Sequence, residues 1–491
     1  ANTGSRLEGR GGDDTLIGGD GDDLLIGGDG ADTFFVGRGN DTIQDYQGDS
    51  IDTIELDPAY TEAEIDAAVA AAVQDGDAVV VTLASTGATL RLEGWTVAEL
   101  QAENAGGDIV GTEGDDILAG TVGNDTIDPR GTNTDEPDRI VASLGDDTID
   151  LSNSGGDSYV FLEYGGLAGP IDVTLNYALN QGQVVKGVGG ADGTDTLVNP
   201  NTTGEANGID IFGTAGDDTY TVTQNSAETW AGIYYAGGND TINLDLDTGI
   251  VRVTTSDTED VTANLTSGDI TFAGGSIDLN VTGTGGRIEL VTGDGDDTVT
   301  GSALDERFSL GAGTDTLDAG DGFDLVRYDR FAVSDGVTVN LEAGTATGVW
   351  GGQAFSHSLS NVEYVRGSRT GNDSLTAADS GSRLEGRGGD DTLVGGAGDD
   401  LLVGGSGADT FVVGRGNDTI QDYQGEDIDT IELDPAYTEA EIDQAVADAV
   451  QDGDTVVVTF VSTGATLRLE GWTVAELQAE NEGSGSDIIG T

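Results

Sequence analysis

Apolar residues return at every ninth position near the start of the chain. From Gly9 the sequence reads GRGGDDTLI, GGDGDDLLI, GGDGADTFF and VGRGNDTIQ, with Leu16, Leu25, Phe34 and Ile43 in the eighth slot of successive blocks. Each block also has glycine in slot four and aspartate in slot six: Asp14, Asp23, Asp32 and Asp41. Glycine admits the left-handed angles of a tight turn. The three residues that follow are too few for a helix and suit a short strand. Turn and strand alternating at fixed length predict a chain that winds on itself with the apolar column inside.

The pattern returns further along. Blocks at 111–119 and 120–128 place Asp116 and Asp125 in slot six, and four blocks from Thr292 place Asp297, Glu306, Asp315 and Asp324 there. Asp373 opens a run that continues through Asp391, Asp400, Asp409, Asp418 and Asp427. Single turns carry Asp147, Asp218 and Asp240. An isolated turn supplies half of a stacked pair, and a plain Asx turn explains it equally well. Between the turns, Ile250–Thr254, Ile270–Phe272 and Ile277–Val281 read as strands.

A larger repeat is superimposed. Residues 4–104 recur as 381–481 with 12 differences in 101 positions. Ser50 breaks the slot-six pattern where the second copy has Asp427, so a site there should be weaker in the first copy. In each copy a tail follows the blocks. Thr61 with Glu64 forms a capping box, and Ile65, Ala68, Val69, Ala72 and Val73 form one helical face. Strands Ala78–Leu83 and Ala88–Glu93 follow, then Trp95 and a short helix starting at Thr96 with Glu99 three later. The helix should cover the open end of the coil, whose strand edges are otherwise unpaired, and Trp95 and Trp472 should pack within this cap.

Charge sharpens the picture. The chain of 491 residues has 92 Asp+Glu against 18 Lys+Arg, a net charge of −74, with 81 glycines and no cysteine. Disulfides, thiolate zinc sites and cysteine nucleophiles are excluded. Such a surface repels nucleic acid and anionic lipid, and no apolar run approaches the ~20 residues of a membrane helix. A start at Ala1 without methionine suggests a processed form or a fragment. Self-repulsion opposes folding unless cations neutralise it.

The tandem blocks resemble the RTX (haemolysin-type) calcium-binding nonapeptide GGxGxDxUx. The resemblance implies an all-β fold, a parallel β-roll or β-solenoid with small α+β caps, two nonads to each coil. Calcium then lies between turns 18 residues apart, pairing Asp14 with Asp32, Asp23 with Asp41, Asp297 with Asp315 and Glu306 with Asp324. Calcium accepts six to eight oxygen ligands, which carboxylates and turn carbonyls can supply. The implied metal residues are Asp14, Asp23, Asp32, Asp41, Asp116, Asp125, Asp297, Asp315, Asp324, Asp373, Asp391, Asp400, Asp409, Asp418 and Asp427. The expected organisation is a roll at 1–50 with its cap at 51–107, and a degenerate solenoid at 108–290. A further block with a linking segment spans 291–367, and a second roll at 368–427 has its cap at 428–491.

A catalytic role is not expected. One histidine cannot make HExxH, GxSxG is absent, and His357 has no acid beside it in sequence, so a surface or strand position is expected for it. Carboxylates are too abundant for any chosen pair to signal glycoside hydrolysis. The expected function is a calcium-dependent structural rod of a secreted bacterial protein, in an adhesin, surface layer or self-assembling filament. It would be exported by a type I channel and folded outside by calcium. Expected partners are calcium ions, further copies of itself, and a cell surface or polysaccharide, with no nucleic acid and no membrane insertion. The alternative is a non-catalytic accessory region of a larger secreted protease, lipase or alginate epimerase.

Overall fold

The computed structural model describes the chain apart from residues 1–3, 48–51, 58–59, 61, 104–107, 112–115, 122, 131–137, 154–159, 201–207, 225–229, 256–257, 284, 331, 334, 426–427, 482–487 and 491. It divides into two compact units, Ala1–Asp245 and Leu246–Thr491, and the boundary falls inside the 108–290 stretch.

In the first unit the nine-residue blocks wind as the spacing predicts. Strand Arg6–Gly11 pairs in parallel with Leu24–Asp29, so that Arg6 lies opposite Leu24, 18 residues on. Thr15–Gly19 pairs in the same way with Thr33–Val36. The two sheets enclose the slot-eight column: Leu25, Phe34 and Ile43 are fully buried. Each such side chain contributes about 1.5–3 kcal/mol by leaving water.

The cap closes this roll differently from the expectation. Asn40–Ile43 pairs in parallel with Thr89–Glu93, which then pairs antiparallel with Ala78–Thr82 and that with Val73–Asp75. Strand pairing therefore covers the sheet edge, and helix Glu62–Ala70 packs on Ala78–Thr82. Ile65, Ala68 and Val69 are buried, but Val73 is 63% exposed and belongs to a strand, so the helix ends a turn early. Thr61 lies outside the described residues; in the second copy Thr438 caps its helix by accepting from the Glu441 amide. Trp95 packs as expected, its Nε1 donating to the Tyr46 carbonyl at 2.8 Å.

The middle stretch coils by the same rule with longer excursions. Thr126–Asp128, Thr148–Asp150 and Thr194–Val198 stack in parallel. Between the last two, Ile171–Asn176, Gln181–Lys186 and Thr194–Val198 form an antiparallel meander. Before its cap, the second unit has two such meanders among the described residues, through Thr262–Asn264, Asp269–Phe272 and Gly275–Thr282, and through Thr338–Asn340, Thr345–Trp350 and Gln353–Ser360. The fold is an all-β parallel roll interrupted by hairpin excursions that return to the same ladder.

The opposite wall of the second unit is an unbroken parallel ladder, from Ile250–Thr254 through Arg287–Val291, Arg307–Ser309, Leu325–Arg327, Tyr364–Arg366, Arg383–Gly388 and Leu401–Ser406 to Asn417–Ile420. Its inward column of Val253, Leu290, Phe308, Val326, Val365, Leu384, Leu402 and Ile420 is fully buried.

Candidate metal centres in the stacked turns

Stacking at 18 residues brings successive slot-six carboxylates into register, and the contact is one-sided. The Asp14 amide donates to Asp32 Oδ1 at 2.9 Å and the Asp23 amide to Asp41 Oδ1 at 2.8 Å. The same bond links Asp297 to Asp315, Asp373 to Asp391, Asp391 to Asp409 and Asp400 to Asp418. Glu306 joins the series, its amide donating to Asp324 Oδ1 at 2.7 Å. Each acid thus uses one oxygen to hold the coil before it.

The other oxygen divides the turns into two kinds. In Asp14, Asp23, Asp32, Asp41, Asp297, Asp324, Asp391, Asp400, Asp409 and Asp418, Oδ2 is buried and accepts no hydrogen bond. In Asp14, Asp23, Asp32, Asp391, Asp400 and Asp409 it points at a glycine in slot one: a Cβ on Gly404 would lie 2.2 Å from Asp409 Oδ2, and one on Gly386 would lie 2.1 Å from Asp391 Oδ2. The turns also crowd one another, since a Cβ on Gly416 would lie 1.7 Å from the Gly398 carbonyl oxygen one coil below. A bare anionic oxygen in a glycine cradle is costly to bury. Burial pushes the Asp391 and Asp400 carboxyls up to about 7 and those of Asp409 and Asp418 to about 6. Asp41, in the first roll, is raised to about 6 for the same reason.

In the second kind the protein supplies the donor. Thr121 bonds Asp125 Oδ2 through its amide at 2.6 Å, Thr214 does the same for Asp218 at 2.7 Å, and the Ser302 amide bonds Glu306 at 3.2 Å. The Ser368 amide donates to Asp373 Oδ2 at 2.7 Å. Except at Asp373, where the donor lies five residues back, the difference sits in slot two. Where that slot holds Ser or Thr, the residue four before the acid satisfies it. Where the slot holds glycine, or Arg10 and Arg387 with φ of 90° and 83°, the oxygen stays bare. Of the residues implied to bind metal, Asp125 and Asp373 therefore already have protein donors on both oxygens.

Two layers place a basic side chain of the chain's own, Lys186 or His357, beside the carboxylates. Lys186 is fully buried, and its Nζ lies 2.6 Å from Asp195 Oδ1 and 3.2 Å from Asp147 Oδ2 while donating to the Ser143 carbonyl at 2.6 Å. Burial raises both carboxyls, and the ammonium opposes the rise. His357, expected at a surface or strand position with no acid beside it in sequence, sits in a strand but is buried. Its Nε2 lies 2.9 Å from Asp315 Oδ2, out of line for a hydrogen bond, and Nδ1 meets the Tyr328 hydroxyl at 3.1 Å. The register places Asp315 beside His357 across a meander of about forty residues, which sequence distance conceals.

Asp147, Asp218 and Asp240 are not isolated turns. The Asp125 amide donates to Asp147, the Asp147 amide to Asp195 and the Asp218 amide to Asp240, at spacings of 22, 48 and 22 residues. Asp116 sits in the same ladder, its amide donating to Asp138 Oδ1 at 2.9 Å. Asp427 and Ser50 lie outside the described residues. The ladder ends there on Asp52 and Asp429, which accept from the Asp32 and Asp409 amides at 3.1 and 3.0 Å. Both copies share this acid.

Among the described residues no three His, Cys, Asp or Glu side chains converge. The donors present are coil-spaced carboxylate pairs and glycine carbonyls, all hard oxygens, the set that suits calcium rather than a softer metal. One surface groove, over Thr174, Gln183, Thr196 and Asn199, is lined by amides, hydroxyls and apolar groups without a titratable side chain. No helix among the described residues is long and apolar enough to cross a membrane.

A comparison with curated proteins found no match. Among solved structures the chain is similar to the extracellular lipase LipA from Serratia marcescens, at 16% identity and a TM-score of 0.16, covering 48% of this chain and 43% of the lipase. The match spans less than half of the lipase's length. The family described as RTX calcium-binding nonapeptide repeat (4 copies) matches residues 8–43, 107–129, 289–326, 369–402, 385–420 and 403–428. The chain therefore carries RTX repeats in several copies, and such repeats bind Ca2+ at multiple sites.

Proposed function

We propose that the chain is a calcium-stiffened structural segment of a secreted bacterial protein, serving an adhesin, surface layer or self-assembling extracellular filament, and that it is not itself an enzyme. The observation that carries this reading is the set of buried Oδ2 atoms without a donor, repeated at coil spacing in both rolls. The residues that would hold the ions are the slot-six aspartates whose slot two is glycine or left-handed arginine, with carbonyls of the facing turns. Bound calcium supplies the positive charge that the coils otherwise lack.

The chain's own residues do the rest. Slot-six Oδ1 atoms fix the register of each coil on the next, and slot-eight apolar side chains fill the interior. At cytosolic calcium the facing carboxylates repel and hold the chain open. Outside the cell, ion binding adds directly to folding free energy. This fits export of an open chain through a type I channel. An accessory region of a larger secreted enzyme remains the second reading; a roll with its cap at both ends, 377 residues apart, favours the tandem structural protein.

Far-UV circular dichroism during a calcium titration tests the proposal. Strand content should rise cooperatively with on the order of ten ions per chain, one for each bare carboxylate, and EGTA should reverse it. Strand content unchanged by EGTA would remove the basis of the reading.

A further inference from the structure

The outer face of the second unit's unbroken ladder gathers arginines in a chain that has few. Coil stacking sets Arg252 beside Glu289 and Glu289 beside Arg307, then Tyr364 beside Arg383, and Arg327 beside Arg366 in the neighbouring row. Seven arginines there share four carboxylates, Glu289, Asp305, Asp329 and Glu385, and Arg307 lies among them, so the face is locally positive on a molecule of net charge −74.

The carboxylates hold the guanidinium groups in place without exhausting them. Glu289 lies against Arg252, Arg327 and Arg330, and these arginines bring its carboxyl down to about 2 against the opposing effect of its burial. Asp329 is shared by Arg327, Arg366 and Arg387. Among the described residues, Arg307, half-buried in the centre, makes no direct hydrogen bond or ion pair, and Glu289 lies beside it across the ladder. Burial lowers its pKa, Glu289 across the ladder opposes that, and Arg287, Arg327 and Arg366 lower it further. A guanidinium with donors to spare, flanked by further arginines, can take up an anion. Beside it stands an aromatic step: Phe323 is 47% exposed and lies 6.1 Å from the Tyr364 ring, over which Arg383 sits at 4.9 Å.

We propose that this face binds an anionic polysaccharide, its carboxylate or sulfate groups on Arg307 and Arg287 and a sugar ring against Phe323. Charge complementarity selects a polyanion, and the exposed ring beside the arginines favours a glycan over an acidic peptide. Neighbouring strands are ~4.8 Å apart, close to the advance of one pyranose along its chain, so successive acidic groups can meet successive coils. Arg287 and Arg307 lie on the strands, whereas Phe323 stands in the turn just before Asp324, so the face is tested with calcium present.

The test uses the full chain in millimolar calcium with size-defined oligogalacturonides, sulfated dextran fragments and neutral dextran, measured by calorimetry. The anionic oligomers should bind and neutral dextran should not. Their relative strengths identify carboxylate or sulfate as the preferred group. The double variant Arg287→Gln/Arg307→Gln should lose at least ten-fold in affinity with an unchanged circular dichroism spectrum. Phe323→Ala, on an exposed ring, should lose several-fold for the oligosaccharides and nothing for inorganic sulfate. Equal binding by wild type and both variants would overturn the proposal. So would sedimentation showing that the double variant breaks a self-association present without polysaccharide, since the occupant would then be a second copy.

Discussion

The layer built on Asp147 and Asp195 and the stack from Asp391 to Asp418 solve one electrostatic problem in opposite ways. Both bury slot-six aspartates whose Oδ1 holds the preceding coil. In the first, Lys186 brings its amino group between the carboxylates, and Ser143 Oγ bonds Asp147 at 3.1 Å. In the second, glycine or a left-handed arginine occupies slot two and the second oxygen is left bare. A lysine is part of the chain, whereas an ion must be supplied by the medium. One chain therefore contains layers that are complete on their own and layers whose stability follows the calcium around them.

Removing calcium should separate the two most sharply. In EGTA, hydrogen exchange at the Thr410 and Thr419 amides, which donate to Asp391 and Asp400 carbonyls, should accelerate by more than a hundred-fold. The Thr196 amide, bonded to the Asp147 carbonyl, should change several-fold at most. Equal acceleration at all three would erase the distinction.

The converse change removes the fixed charge. Lys186→Met leaves two buried carboxylates facing each other and should cost about 3–5 kcal/mol in denaturant unfolding at saturating calcium. If the comparison holds, the variant's remaining stability should depend more steeply on calcium than the wild type's, because a bare pair has been created.

Filling the cradle is gentler. Gly404→Ala places a Cβ 2.2 Å from Asp409 Oδ2, forcing that carboxylate aside. It should destabilise by about 1–3 kcal/mol and raise the calcium midpoint seen by circular dichroism. In the absence of calcium, pH should matter in a stated direction. The Asp391 and Asp400 carboxyls titrate near 7 when folded against an ordinary 3.8, so the folded chain holds extra protons between those values. In EGTA the strand content that survives should therefore fall as pH rises from 4 to 7, read by circular dichroism. Saturating calcium should abolish that slope above pH 6.

Much of this was legible in the residues. The period of nine predicts the coil, and slot six predicts which acids turn inward. The signal that separates bare carboxylates from satisfied ones also lies in the sequence, at slot two: Thr121, Thr214 and Ser302 against Gly19, Gly28 and Gly405. It is visible only once geometry shows that the residue four positions earlier reaches the second oxygen. Asp195 and His357 were hidden for another reason. Hairpin excursions put 48 residues between Asp147 and Asp195 and 42 between Asp315 and His357, and no fixed spacing survives a meander of arbitrary length.

The nearly identical copies show where local information stops. The stretch RLEGRG is largely exposed as Arg6–Gly11, whereas as Arg383–Gly388 it buries Leu384 and Glu385 under Tyr364–Arg366. The sequence by itself determined turn, strand, inward face and slot-six acid, because each depends on residues within one coil. Only the tertiary structure decided which carboxylates meet Lys186 or His357, which stay bare and where arginines from distant coils converge. Those outcomes depend on what lies one coil above and below, and excursions of variable length set that neighbour.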